Sequence, residues 1–276
     1  MTMEPVRFLH IPKTGGSTFT DILQRQYGGY GCFAFTGDLS SDVKRFKALP
    51  ENERAKIALF MGHAPIVTGI DRADHALTIT LLRNPISRVK SFCQHVAEGK
   101  SPHLVHNFPP ETFCLDEFLE SGNGELSNLQ TKMLVTHGCG ASTFDNMSAS
   151  EAKDAACSNL TQKIAHFGLQ EYFDESIMVI SAALHWKMPL YTSKNKKNAK
   201  KLIRFEEHHL QRIAELNTLD LELYALARKT FMSLLKQVEF NSARLKWFQL
   251  LNAFKSREQF IGLAQSCLRR LSRTAP

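Results

Sequence analysis

His10-Ile11-Pro12-Lys13-Thr14-Gly15-Gly16-Ser17-Thr18 is the stretch on which the reading of this chain turns. Ahead of it, Val6 to Ile11 is a short, largely apolar run with the pattern of a buried strand. Behind it, Phe19, Ile22 and Leu23 recur at helical spacing within Ser17 to Tyr27. Strand, glycine loop and helix in succession make a phosphate cradle. The two glycines let the backbone approach phosphate oxygens. The helix turns its free N–H groups and the positive end of its dipole toward the anion. Ser17 and Thr18 add hydroxyl donors, and Lys13 adds a positive charge. The lysine precedes the glycines here, whereas a Walker A lysine follows them and directly precedes Ser or Thr. Taken alone, such a loop also fits a helix-capping turn beside an incidental lysine.

A second strand–loop–helix unit lies downstream. His75 to Leu82 is rich in β-branched and aliphatic residues and predicts a strand. It runs into Arg83-Asn84-Pro85, and a helix is predicted from about Ser87 to Val96. Arginine at a strand end offers a two-pronged donor to phosphate. Ser91, eight positions after Arg83, can donate from the helix. A further strand, Lys56 to Met61, ends at Gly62-His63. Gly28 to Gly37, rich in glycine and aromatics, predicts a loop, as does Lys100 to Thr112.

Later segments are mostly helical in pattern. Helices are predicted at Leu115 to Leu119 and Leu126 to Thr136. Ser148 and Glu151 fit a capping box before a helix reaching Lys163. Ala165 to Gly168 predicts a short strand. Helices follow at Asp174 to Trp186, Glu206 to Glu215, Asp220 to Gln237 and, in pattern, Asn241 to Leu271. Lys194 to Lys201 is a basic loop. These elements predict an α/β fold: a P-loop-like three-layer sandwich, its central, mostly parallel sheet flanked by helices, with a helix-rich C-terminal third. The expected organisation is one domain over residues 1–240 and a helical extension, 241–276, packed on it.

Composition narrows the class. At 43% hydrophobic and 22% charged residues, the chain reads as soluble and globular. No run approaches the ~18 apolar residues of a membrane span, and the start lacks a signal-peptide pattern. A cytoplasmic protein is expected. The six cysteines are scattered without a CxxC pair, which predicts reduced thiols and neither disulfide framework nor zinc site. The net charge of +7 favours anionic partners. With no zinc-finger or RNP-type pattern, nucleic acid is not expected among them. Nothing in the sequence sets an oligomeric state.

The opening stretch resembles the 5′-phosphosulfate loop of sulfotransferases that use 3′-phosphoadenosine 5′-phosphosulfate (PAPS), most closely the branch containing heparan sulfate 2-O-sulfotransferase and its bacterial relatives. Leu82 to Ser91 is similar to the same family's 3′-phosphate motif, with Arg83 and Ser91 in the ligating positions. Weaker similarity continues through Asn128-Leu129-Gln130-Thr131-Lys132, Phe167 to Glu171 with Phe173 to Ser176, and Leu219 to Tyr224. The basic run lies where the family has a loop over the nucleotide, which makes Ser193, Lys196 and Lys197 expected contacts.

The resemblance implies sulfuryl transfer from PAPS to an acceptor hydroxyl by in-line displacement, leaving PAP. Lys13 would neutralise the leaving oxygen, and Thr14, Gly15, Gly16, Ser17 and Thr18 would hold the 5′-phosphate. No metal is required, and no ligand cluster is apparent in the sequence. A histidine is the natural base near neutral pH. Of 11 histidines, His63 is the choice. It ends a predicted strand, where ligands of open α/β sheets bind, and its segment looks like the family's source of the catalytic histidine. His10, His95, His103 and His106 rank below it. The implied acceptor is a carbohydrate or glycoconjugate, such as a glycan or glycolipid, in a bacterial cytosol. The rivals are a P-loop-type kinase or nucleotide hydrolase, which would need Mg²⁺ ligands, and a non-catalytic polyanion-binding protein.

Overall fold

The computed structural model describes residues 4–136, 144–192, 202–237 and 241–255. Five strands, β1 (Val6–Leu9), β2 (Gly31–Phe35), β3 (Ile57–Gly62), β4 (Leu77–Leu82) and β5 (His166–Leu169), form one sheet in the order β2-β3-β1-β4-β5. All pairings are parallel. The helices are α1 (Gly16–Gln26), α2 (Leu39–Ala48), α3 (Glu51–Arg54), α4 (Asp71–Asp74), α5 (Pro85–Ala97), α6 (Leu115–Glu120), α7 (Leu129–Val135), α8 (Ala149–Gln162), α9 (Phe173–Ala183), α10 (Glu207–Leu216) and α11 (Thr218–Gln237). Residues 242–255 form a twelfth, α12.

Strand alternation distributes the core over two faces. Val6 and Phe8 of β1 and Ile79 and Leu81 of β4 pack with Phe19, Ile22 and Leu23 of α1 and Ile177 and Ile180 of α9. Leu9 and Leu82 belong instead to a cluster with Leu134 of α7, Leu160 of α8 and Phe231 of α11. Phe33, Phe35 and Phe60 pack against Phe46 of α2. This is the expected α/β sandwich with a parallel sheet and a helix-rich later half. Among the described residues, no helix is long and apolar enough to cross a membrane.

One expectation is overturned. Gly28 to Gly37 is not all loop: Gly31–Phe35 is the edge strand β2. The alternation was present, since Phe33 and Phe35 are buried while Cys32 and Ala34 face outward. Flanking glycines masked it. Helix α2 follows β2, capped by Asp38, which accepts the Ser41 N–H at 3.1 Å. The capping box at Ser148 and Glu151 is formed. Helix α5 starts two residues before the expected Ser87, because Pro85 suits a first turn and Asn84 Oδ1 accepts the Ser87 N–H at 3.0 Å. Of the predicted C-terminal helix, residues 242–255 are helical, and the part beyond Lys255 lies outside the described residues.

Candidate active site

The topology converges three strand ends. β1 lies between β3 and β4, with Leu9 paired to Gly62 on one side and Thr80 on the other. The segments leaving these strands are therefore neighbours: the loop from His10, the Gly62-His63 corner, and Arg83. This is the carboxyl edge where the chain crosses from one side of β1 to the other, the usual ligand crevice of such sheets.

The loop is wound tightly. Lys13 sits in the left-handed region at φ 68° and Gly15 at φ 93°. Gly15 caps α1 without a side-chain hydrogen bond, so the first-turn N–H groups stay available for an anion. A Cβ on Gly16 would lie 1.9 Å from His10 Nε2, so a larger residue there would have to displace the His10 imidazole. Thr14 is buried, and its hydroxyl donates to the Ile11 carbonyl at 2.9 Å, closing the loop on itself. Ser17 is exposed, while Thr18 is buried.

The two candidate phosphate motifs meet. Arg83 Nη1 donates to the Lys13 carbonyl at 3.0 Å. Arg83 Nε is buried with no hydrogen-bond partner among the described residues. Burial, then the Arg83 charge, pushes Lys13 down to about 8, with Lys100 adding to the effect and Glu98 and Glu125 opposing it. Two partly buried cations facing one cleft favour an anion between them.

Arg83 is held by residues to which the sequence reading gave no role. Gln130 Oε1 accepts the Arg83 N–H and Gln130 Nε2 donates to the Arg83 carbonyl, both at 2.9 Å. The buried Asp220 carboxylate accepts from the Gln130 and Thr131 N–H groups at 3.1 and 2.7 Å, and from the Thr131 hydroxyl at 2.7 Å. Glu171 accepts the Asn84 N–H at 2.9 Å and the Tyr224 hydroxyl at 2.7 Å. The available signal was Gln130 and Thr131 set among apolar helical positions, where buried polar groups must find partners.

His63 is exposed, with Nδ1 2.7 Å from the His10 carbonyl. A carbonyl only accepts, so Nδ1 carries the proton and a neutral His63 presents a bare Nε2. The His10 ring stacks on it at 4.5 Å between centroids. Burial, then His63 and Lys13, pushes His10 down to about 3, which keeps it neutral. Ser87, Ser91 and His95 line one half-buried stripe of α5 at four-residue spacing. His95 is pushed down to about 4 by burial and then by Lys13, so this stripe approaches the lysine. His103 is exposed and bonds Glu125 at 3.1 Å, and His106 is exposed. Ser193, Lys196 and Lys197 lie outside the described residues.

Among the described residues, Asp116, His208 and His209 carry metal-type donors close together. His209 Nδ1 accepts the Glu206 N–H at 3.0 Å, which puts the ring proton on Nε2, 3.0 Å from Asp116. A ligating nitrogen needs a bare lone pair, so the cluster reads as a hydrogen-bonded clasp between α6 and α10.

No family model matches the chain. Heparan-sulfate 6-O-sulfotransferase 2 of Gallus gallus is 28% identical over 195 residues, 61% of this chain and 48% of the relative. Heparan-sulfate 6-O-sulfotransferase 3 of Homo sapiens is 29% identical over 177 residues, 55% of this chain and 37% of the relative. The chain thus spans about half or less of the length of these curated relatives. The structure of mouse sulfotransferase SULT7A1 complexed with PAP is similar at 16% identity and a TM-score of 0.40, covering 77% of this chain and 63% of that one. The curated relatives are sulfotransferases, as the two motifs implied. Their names specify 6-O transfer, so the 2-O branch is not the one these matches single out.

Proposed function

We propose that this chain is a PAPS-dependent sulfotransferase acting on a hydroxyl of a carbohydrate or glycoconjugate. The observation that carries this reading is the 3.0 Å hydrogen bond from Arg83 to the Lys13 carbonyl, which unites the two phosphate motifs in one cleft. PAPS carries two separated phosphate groups, and a single-phosphate cradle would not need the second cation. The buried, partnerless Arg83 Nε fits a phosphate oxygen.

In this reading Lys13 and the Thr14 to Thr18 backbone hold the 5′-phosphate, with Ser17 donating its hydroxyl. The Thr14 hydroxyl, bonded to the Ile11 carbonyl, shapes the loop from within. Arg83 and Ser91 take the 3′-phosphate, and Ser193, Lys196 and Lys197 cover the nucleotide. His63 Nε2 accepts the acceptor hydroxyl's proton as its oxygen bonds to sulfur. The bond from sulfur to the 5′-phosphate oxygen breaks, and Lys13 stabilises the charge arriving on that oxygen. Catalysis is then mostly positioning and fixed charge. The step needs no metal. Residues 1–240 form the catalytic domain and 241–276 an extension on it.

The test is transfer of labelled sulfate from PAPS across a panel of glycans, glycolipids and small hydroxyl compounds. Turnover abolished in Lys13→Ala supports the reading. Mg²⁺-dependent ATP binding, with no affinity for PAP in Mg²⁺-free buffer, would sink it in favour of a kinase.

A further inference from the structure

We propose that α12 is an interfacial helix that docks the protein on an anionic membrane surface. Trp247, Leu250 and Phe254 are 62%, 52% and 61% exposed, unusual for large apolar side chains. Their spacing of three and four residues puts them on one face. The opposite face is anchored. Phe248 is buried in the cluster of Phe8 and Phe19. Asn252 Oδ1 accepts the Tyr191 N–H at 2.9 Å, and Lys255 Nζ donates to the Leu190 carbonyl at 3.1 Å. The helix is therefore held on the domain with its apolar stripe outward.

The surroundings extend the patch. The Leu190 carbonyl also accepts from Arg25 at 2.6 Å. In the same loop, Met188 is 61% exposed beside exposed Lys187. Two apolar elements thus share a rim carrying Arg25, Lys187 and Lys255, with Asp174 at its edge accepting from Gln249 Nε2 at 3.0 Å.

Charge selects the occupant. From Asn241 to Lys255 the sequence has Arg244, Lys246 and Lys255 and no acidic residue. From Asn241 to Pro276 it has seven arginines and lysines against Glu258 alone, which is six of the chain's seven surplus charges. A second copy would set this charge against itself, and residues 256–276 are also net basic. An anionic bilayer complements both features, with apolar side chains entering the headgroup boundary and cations meeting the lipid phosphates. Helix α1 runs from the phosphate loop to Arg25, about 16 Å at the helical rise. Docking at α12 therefore leaves the cleft open.

The experiment is flotation of the full chain with phosphatidylglycerol-rich vesicles and with pure phosphatidylcholine vesicles at low salt. Binding to the anionic vesicles alone is expected. Trp247→Ser combined with Phe254→Ser should weaken it roughly 100-fold, the effect of losing two inserted large apolar side chains, with the thermal midpoint unchanged. Tryptophan emission should shift to the blue on binding, and Trp247→Phe should bind without that shift. Absence of binding to anionic vesicles, or equal binding by the double variant, overturns the proposal. So does a dimer in sedimentation that the double variant converts to monomer, which would assign the face to a second copy.

Discussion

The two sides of the cleft are built by different means. At Arg83 the backbone is gripped at both N–H and carbonyl by Gln130, which is itself fixed by the buried Asp220, while Glu171 holds the next N–H. At His63 a solvent-exposed imidazole hangs on one hydrogen bond to the His10 carbonyl. In the proposed reading the Arg83 side is preorganised because separated phosphates must meet fixed cations, and the His63 side fixes a tautomer and leaves the rest of the ring to the acceptor.

The largest blow to this contrast is Lys13→Ala. Turnover should fall about 1,000-fold or more, since a charge placed at the leaving oxygen acts mainly in the transition state. Transfer of labelled sulfate measures it. His63→Ala should cost on the order of 100- to 10,000-fold in kcat. Its PAP affinity, measured by calorimetry, should stay at the wild-type value. A parallel loss of PAP binding would make the two sides one unit.

Gln130→Glu sharpens the comparison from the donor side. It keeps an acceptor for the Arg83 N–H but sets an oxygen against the Arg83 carbonyl. The KM for PAPS should rise about tenfold, in line with one spoiled buried hydrogen bond. The kcat at saturating PAPS should not move. The smallest effect is on pH. With Lys13 held at about 8, anion binding favours its charged form, so PAP affinity should drop as pH rises past that value. The fall is about fivefold between pH 8 and 9 for one linked proton. Lys13→Arg should flatten the profile. For stability the sign reverses. The folded chain binds fewer protons than the unfolded one between about 8 and the ordinary lysine value of 10.5, so stability rises with pH across that window.

Much of this was legible in the residues. Loop and helix at His10 to Tyr27 follow from local chemistry, because glycines set the turn and apolar spacing sets the helix. Arg83 and Ser91 were picked out by the resemblance, and the structure sets Arg83 just after β4 and Ser91 on a half-buried stripe of α5. β2 was missed because glycines on both sides obscured Phe33 and Phe35 at period two. Gln130, Asp220 and Glu171 fell within segments of weaker family similarity but carried no readable role, since their partners lie 47 to 90 positions away.

The sequence by itself determined the parallel α/β architecture and offered a candidate phosphate cradle with candidate roles for Lys13, Arg83 and His63. The architecture and the cradle rest on short-range signals, hydrophobic period and glycine placement, and the roles on those together with the family resemblance. Only the tertiary structure decided the rest. It set the crossing of the chain over β1 that brings three strand ends together. It set the burial that lowers Lys13, the carbonyl that orients His63, and the exposure of Trp247, Leu250 and Phe254 on a helix whose other face is anchored. Each depends on which distant residue arrives opposite, and that is fixed by packing of the whole core.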